Sequence, residues 1–500
     1  MAHCTITVQG PWATLTAPDS LLAAAAAELT APKPGAEFSF AYKTGRWDGQ
    51  VCLLQRRTFA VGLVERVKAR LEREGATVAV SRKPVPEPVP FCPALIDVSA
   101  RSYQNAGADA AIERRVLTLE CPTGGGKTLL GAEIIRRLGA TTLWLTHRSD
   151  LATQTHKVLG KALNQPVGSI GAGICAPSVI TVGMVQTLAR YIKRRDPMVM
   201  KYLAGVKLLI VDEAHHASSA TMTAVAEACT SAEYRIGLSG TLPAREALTA
   251  LLLESVCGPK HVVAEVGDLA SQGFLAAPTV RLIEPPTTSY WSYEQVRDVV
   301  LPSWRSDPRP LAKLGTKLFD VSRRHNIVEN EGRNRAFAAA AVQHYRAGER
   351  VLMLCELVAH ARRLEQAVRS LGAEKVWCLT GEDKDREEAL GRFRSFDPPG
   401  LLIATPWFRE GMDVPEVDVG FLAGASMSEI AILQGFGRML RPRPDKATVL
   451  VYSALDGIDP SNPKDYFAQH SVEQLRIFRE RGWALVRQAD WLCQNGTDYK

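Results

Sequence analysis

From about residue 95 onward, short runs of continuous apolar residues alternate with stretches of helical spacing. Val116–Glu120, Thr141–Thr146, Val179–Val182, Lys207–Val211 and Tyr234–Leu238 are rich in aliphatic and β-branched residues and lack the polar alternation of a half-exposed strand. Strands buried on both faces read this way, and they belong to parallel sheets whose crossovers are helices. The alternation loosens around Pro285, Pro286, Pro302, Pro308 and Pro310. It resumes at Val351–Cys355, Lys375–Leu379, Leu401–Thr405, Val417–Leu422 and Thr448–Tyr452. The pattern predicts an α/β chain with two parallel-sheet domains in tandem, 95–284 and 326–458, joined by a connecting segment over 285–325. Before them, Lys83 to Pro93 holds five prolines, which cannot continue a helix or a central strand. That segment, 83–94, reads as an extended linker after a small α+β module over 1–82. Within the module, Leu21–Ala27 is bracketed by Asp19 and Glu28 and reads as a helix, Asp48-Gly49 as a hairpin turn, and Leu63–Glu72 as an amphipathic helix. The tail, 459–500, holds one amphipathic helix near His470–Arg481, ended by Gly482.

The first candidate chemistry lies between the first apolar strand and the helical run after it. Residues 121–128 read Cys-Pro-Thr-Gly-Gly-Gly-Lys-Thr. A glycine-rich turn from strand to helix aims backbone N–H groups of Thr123, Gly124, Gly125 and Gly126 at one point, where the helix N-terminus adds positive potential. Lys127 can neutralise the outer phosphates of ATP and the Thr128 hydroxyl can ligate Mg2+. Cys121 stands where the usual pattern has glycine, a small departure. Downstream, the apolar run Leu208–Val211 ends in Asp212-Glu213-Ala214-His215. A carboxylate at a strand end suits Mg2+, so Asp212 is the metal candidate and Glu213 the residue that orients and deprotonates an attacking water. Adjacent residues rarely face one ligand, which argues against His215 and His216 as a metal pair.

Composition narrows the field without naming a partner. Of 500 residues, 46% are hydrophobic and 23% charged, as in ordinary globular domains. No apolar run is long enough to span a bilayer, and the N-terminus lacks the pattern of a secretory signal, so a cytoplasmic location (host cytoplasm, for a phage-encoded chain) and no membrane partner are expected. The ten cysteines show no CxxC spacing, which speaks against zinc ribbons and redox pairs. A net charge of +7 permits a polyanionic partner.

Taken in order, the motifs resemble those of superfamily 2 helicases of the DEAH-box type over about 95–455. Arg101-Ser-Tyr103-Gln104 is similar to the adenine-reading element. Thr146-His-Arg148 and the segment holding Gln186 and Thr187 are similar to motifs that touch a nucleic-acid backbone, and Ser239-Gly240-Thr241 to the motif coupling hydrolysis to movement. Glu410-Gly411-Met-Asp413 resembles the fifth motif, and Gln434-Gly-Phe-Gly437-Arg438-Met-Leu-Arg441 the sixth. The resemblance implies two RecA-like motor domains, ATP and Mg2+ as cofactors, and nucleotide contacts from Gln104, Gly411 and Asp413. It implies catalytic roles for Lys127, Asp212, Glu213, Gln434, Arg438 and Arg441, with His215 on the coupling side. An arginine supplied from a second domain stabilises the transferring phosphoryl group and can tie hydrolysis to motion.

Around Arg46-Trp47-Asp48-Gly49 and Phe59-Ala-Val-Gly62-Leu63, and again at Asn326-Ile-Val-Glu-Asn330 and Arg333-Asn334, the chain is similar to phage UvsW-type and XPB-like DNA helicases. Trp47 with Arg46 and nearby Lys43, Arg56 and Arg57 forms a candidate aromatic and basic face, though a core position for Trp47 fits the sequence as well. The run Tyr191-Ile-Lys193-Arg194-Arg195 extends the candidate track or is a solvated helix face. That branch implies remodelling of forks, Holliday junctions and R-loops in replication, recombination or repair, with DNA, branched or duplex, and RNA–DNA hybrid as partners and little sequence specificity. Three alternatives stay open: a duplex translocase that does not separate strands, an RNA helicase, and a nucleotide-gated clamp. The tail is too short to hold a nuclease domain.

Overall fold

The computed structural model describes residues 2–85, 87–240, 247–304, 314–381, 383, 386–395, 400–405, 417–425 and 448–487. The chain divides into two compact units, one of Met1–Pro122 with Gly126–Glu265, the other of Val266–Lys500 with Thr123–Gly125.

The first unit opens with strands β1 (His3–Gln9), β2 (Trp12–Thr16), β3 (Thr30–Pro32), β4 (Gln50–Cys52), β5 (Thr58–Ala60) and β6 (Thr77–Ser81). Four of them form a sheet in the order β5-β2-β1-β6, and β3 pairs with β4. Helices Asp19–Glu28 and Val64–Arg73 bury Leu21, Ala25, Val67 and Leu71 against this sheet. The expected hairpin at Asp48-Gly49 is absent. Gly49 does take a positive φ of 79°, and Asp48 Oδ1 accepts from the Gln50 N–H at 2.9 Å. The strand that follows, β4, pairs with the distant β3, so the turn redirects the chain rather than joining two partners.

The module is not an appendage. Val116, Leu248 and Leu251 of the neighbouring α/β layer complete its core. Arg66 donates to Glu254 at 2.7 and 2.9 Å. Gly62 lies so close to the next layer that a Cβ would stand 1.9 Å from the Glu254 carbonyl oxygen. The proline segment is likewise strapped down. The Phe91 N–H donates to the Arg136 carbonyl, and Arg136 Nη1 donates back to the carbonyls of Cys92 and Pro93, each at 2.9 Å.

The rest of the first unit is a sheet of β7 (Val116–Glu120), β8 (Thr142–Thr146), β9 (Val167–Gly171), β10 (Ile174–Ala176), β11 (Ile180–Met184), β12 (Leu208–Asp212), β13 (Tyr234–Ser239) and β14 (Lys260–Val262). Their order is β10-β9-β11-β8-β12-β13-β7-β14, parallel except for the β9–β10 pair. Trp144, Ile210 and Ile236 are fully buried at its centre. The short β9, β10 and β14 give no sequence signal, because each is half-exposed or carries glycines.

The second unit holds β15 (Ala277–Ile283), β16 (Val351–Leu354), β17 (Val376–Leu379), β18 (Leu401–Ala404), β19 (Val419–Leu422), β20 (Thr448–Ala454) and β21 (Ala484–Arg487). They form a parallel sheet ordered β17-β18-β16-β19-β20-β15-β21. Here a boundary is corrected. The strand β15, read as the end of the first domain at 284, pairs with β20 through seven residues of the second sheet, from Ala277↔Thr448 to Ile283↔Ala454. The first unit therefore ends at Glu265. The tail helix spans Tyr466–Glu480, starting earlier than the apolar spacing suggested because Asp465 caps it, accepting from the Ala468 N–H. Among the described residues, no helix is long and apolar enough to cross a membrane.

Candidate active site

Three adjacent parallel strands, β12, β13 and β7, end together. Their register sets Asp212 beside Leu238 and Ser239 beside Glu120, so the carboxylate, the hydroxyl and the start of the glycine loop share one sheet edge. The Cys121 N–H donates to the Ser239 carbonyl at 2.9 Å and carries the β7–β13 pairing one residue further. Ligand sites in open α/β sheets form at this carboxyl end. The loop then reaches the helix Lys127–Leu138, whose N-cap is Gly126. Gly124 and Gly126 take φ values of 85° and 78°, a region open to glycine and strained for other residues. Gly126 is also hemmed in, since a Cβ there would come 2.5 Å from Gln104 Nε2.

Gln104 is nearly fully buried. Its Oε1 accepts from the Arg101 N–H at 2.8 Å and its Nε2 donates to the Gly126 carbonyl at 3.2 Å. The side chain thus braces the phosphate loop from behind. Gln104→Ala removes that brace from the phosphate loop, so we expect the KM for ATP to rise by about tenfold, the scale of one lost hydrogen bond. Initial-rate kinetics across ATP concentrations would show it.

A line of four side chains runs along the strand ends. The Lys127 ammonium lies 3.6 Å from Glu213 Oε1, Glu213 Oε2 lies 3.4 Å from His215 Nδ1, and that nitrogen lies 3.2 Å from Ser239 Oγ. His215 and Ser239 are buried. The expected coupling pair is therefore in contact, and in contact with the candidate base. Glu213 sits at φ 48°, ψ 57°, in the left-handed region. Strain of this kind costs about 1–3 kcal/mol and gathers at functional sites. Here the conformation turns the Glu213 carboxylate toward Lys127, while Asp212 Oδ1 accepts from the Glu213 N–H at 3.0 Å.

Asp212 is buried, and its acidity follows. Burial first, then the neighbouring Glu213 charge, push its carboxyl up to about 6, against the pull of Lys127. Trp144 also holds it, the indole N–H donating to Oδ2 at 3.4 Å. Sequence reading missed this residue, since a tryptophan inside an apolar strand carries no sign that its N–H meets a carboxylate. The indole's position depends on Gly131, where a Cβ would lie 2.3 Å from the ring. Cys121 is packed and protonated, its thiol pushed by burial up to about 11.

The residues expected to touch nucleic acid sit on other parts of the unit. Arg148 donates to Asp150 at 2.8 Å. Gln186 is exposed, and Thr187 Oγ1 accepts from Arg190 at 3.3 Å. A groove of about 510 Å³ is lined by Ser149, Thr187, Arg190, Arg194 and the glycine at 173. Arg190 was missed by motif reading. Trp47 is half-buried, its indole N–H donating to the Gln50 carbonyl at 2.8 Å with the Lys33 ammonium 5.8 Å from the ring centre. The exposed aromatics of the module are Trp12, Phe38, Phe40 and Tyr42, of which Phe38 and Phe40 are the most exposed, and the Arg46 guanidinium stands 5.9 Å from the Phe40 ring. Thr241, Gly411, Asp413, Gln434, Arg438 and Arg441 lie outside the described residues; Gly240 lies inside, following β13.

Two family profiles match this chain: "Type III restriction enzyme, res subunit" over residues 97–244, and "Helicase conserved C-terminal domain" over 334–443. With the site above, they define the class, an ATP-dependent motor enzyme. The chain belongs to the superfamily 2 helicases. It is 26% identical to the DNA 3'-5' translocase XPB2 of Sulfurisphaera tokodaii, over 71% of this chain and 81% of that protein. It is 21% identical to the ATP-dependent DNA helicase uvsW of Enterobacteria phage T4, over 90% of this chain and 92% of that protein. Among solved structures, the Type ISP restriction-modification enzyme LlaBIII bound to DNA shares the fold, with a TM-score of 0.52 and 14% identity over 76% of this chain and 30% of that one.

Proposed function

We propose that this chain is an ATP-driven DNA helicase and translocase that remodels branched DNA, such as forks, Holliday junctions and R-loops. The observation that carries the motor is the contact line Lys127–Glu213–His215–Ser239, which ties the phosphate loop to the coupling residues. Support for the branched-DNA role is the likeness to the phage T4 protein, which runs through 90% of this chain and so takes in more than the motor motifs.

In this reading Lys127 and the N–H groups of Thr123–Gly126 hold the ATP phosphates. The buried Asp212 and the Thr128 hydroxyl suit a magnesium ion: a carboxylate whose ionised form is disfavoured by burial and by Glu213 gains from a divalent cation beside it. Bound there, the ion would neutralise charge on the phosphates. Glu213 orients and deprotonates the attacking water, and His215 reports its state to Ser239. Arg438 and Arg441 act as arginine fingers, with Gln434, Gly411 and Asp413 completing the nucleotide contacts. The groove at Ser149, Thr187, Arg190 and Arg194 takes the DNA backbone through its phosphates, with Gln186 and Arg148 nearby. In the module, Phe38, Phe40 and Arg46, more than Trp47, offer stacking and charge to unpaired bases.

The test is ATPase stimulation by single strand, duplex, fork, Holliday junction, RNA and RNA–DNA hybrid, run beside strand separation on the same substrates. Forks and junctions are expected to stimulate most and to be unwound. Equal stimulation by plain duplex with no strand separation would replace this reading with the second one, a duplex translocase, which the restriction-subunit profile over 97–244 favours. Stimulation by RNA alone would point to an RNA helicase.

A further inference from the structure

A basic cavity lies at the end of the first unit's α/β sheet opposite the nucleotide site. Its volume is about 280 Å³. From the α/β layer it is lined by Arg115 and Val116 at the start of β7, by Lys207 just before β12, and by the loop Thr230–Glu233 that leads into β13. The phosphate loop, Asp212 and Ser239 lie at the far ends of the same three strands. A five-residue strand separates the two ends by about 17 Å, so this cavity and the nucleotide site are different places. From the module it is lined by the β1–β2 turn and by Arg82 and Lys83, which follow β6. The two walls meet closely. Gly10, at φ 58°, approaches Thr230 so nearly that a Cβ would stand 2.4 Å from its carbonyl oxygen.

We propose that this cavity is a second phosphate-binding site, taking backbone phosphates of a nucleic-acid segment that lies away from the motor groove. Four cations, Arg82, Lys83, Arg115 and Lys207, face one carboxylate, Glu233. Among the described residues, Lys83, Arg115 and Lys207 make no ion pair, and Arg82 has only a long one to Glu65, at 3.8 Å. Burial depresses the Arg82 guanidinium below its ordinary value; Glu65 pulls the other way, and the Arg115 charge adds to the depression. Like charges gathered in excess of the carboxylates beside them favour an anion among them. Arg115 is held at φ 66°, a left-handed conformation unusual for arginine, which fixes where its side chain starts. The lining includes no aromatic residue, so nothing is offered for a base to stack on, and the chemistry is that of phosphate rather than nucleoside. Because the walls belong to both the module and the motor layer, a strand bound here is gripped by both.

The inference rests on the motor reading for its nucleic-acid source, and its test separates the two. The full chain is compared with Lys83→Glu/Lys207→Glu and with the milder Lys83→Ala/Lys207→Ala, both changing exposed side chains. Fork binding is measured by fluorescence anisotropy across a salt series. Each neutralised phosphate contributes about 0.9 to the slope of log affinity against log salt, so the alanine pair should flatten the slope by about 1.8. ATPase activity stimulated by short single strands should be unchanged in both variants. A second arm measures thermal stabilisation by inorganic tripolyphosphate in the Lys127→Ala background, where the nucleotide site is disabled. Loss of that stabilisation on adding the alanine pair, with fork slopes unchanged, would keep the site and assign it to free polyphosphate. Unchanged slopes together with unchanged stabilisation would overturn the proposal. If the parent chain shows no DNA-stimulated ATPase, the motor reading fails while the tripolyphosphate arm still reads the site.

Discussion

Lys127→Ala and Glu213→Gln are each expected to lower ATP turnover by at least about 100-fold, the scale of removing one charge-stabilising donor or one general base. The two should fail differently. Lys127 supplies charge to the phosphates, so its loss weakens ATP binding and turnover together. Glu213 acts on water and, adding to the effect of burial, raises the pKa of Asp212 by standing beside it. Glu213→Gln removes that like charge, so ATP and magnesium should bind at least as well as in the parent while turnover stops. Equilibrium binding of a fluorescent ATP analogue, beside phosphate release, distinguishes them. Near-normal turnover in either purified variant would remove the site assignment.

Asp212 adds a stability effect of known sign. Its folded pKa, about 6, lies above the ordinary carboxylate value of about 3.9. For an acid, a raised value means the folded state disfavours the charge, so the penalty is fully present above about 6 and vanishes below the unfolded value. Asp212→Asn should therefore raise the melting temperature at neutral pH while abolishing activity. The gain should fade as pH falls from 6 toward 4, as differential scanning calorimetry at several pH values would record.

Most of the motor was legible because its physics is local. A fully buried parallel strand is a run of aliphatic residues, and β7, β8, β12, β13, β16 and β18 all have every residue buried. Their ends carry the chemistry, so the pattern puts the phosphate loop after one strand and Asp212 and Glu213 at the end of another, while Ser239 rests on the family resemblance and the shared edge on the strand register. What was hidden depends on contacts between distant segments. Strand β15 reads as a continuation of the first domain, and only its pairing with β20 shows otherwise. Proline spacing marks 83–94 as extended but carries no information on whether it is free, and the bond from Phe91 to Arg136 decides that it is strapped. Trp144 and Gln104 fill positions that looked structural or base-reading. Their roles, steadying Asp212 and bracing Gly126, come from tertiary geometry. The basic cavity draws one to four residues from each of six chain segments, and no window of sequence contains it.

The segment Asn326–Asn334, which brought the resemblance in the second unit, has a structural explanation that predicts the largest stability loss. Arg333 is fully buried at the start of the helix Glu331–Arg346, which Asn330 caps. Its Nε and Nη2 donate to the two oxygens of Asp456, after β20, at 2.7 and 2.9 Å. The Tyr290 hydroxyl donates to the same carboxylate at 2.6 Å. Asn326 joins the same region, pairing with both backbone groups of Trp291, and Asn334 Nδ2 donates to the Val328 carbonyl. Three separate stretches of the unit thus converge on one buried carboxylate. Asp456→Ala strands a buried guanidinium and a buried phenol, and breaking such a pair costs about 3–5 kcal/mol. Replacing both partners, Arg333→Met with Asp456→Leu, should cost markedly less than either single change, because no uncompensated charge is left inside. Urea denaturation of the single and double variants, with hydrogen exchange to localise the loss to residues 266–487, tests the coupling. A single-variant cost below about 1 kcal/mol, the scale of an exposed ion pair, would show that the network does not hold the unit together.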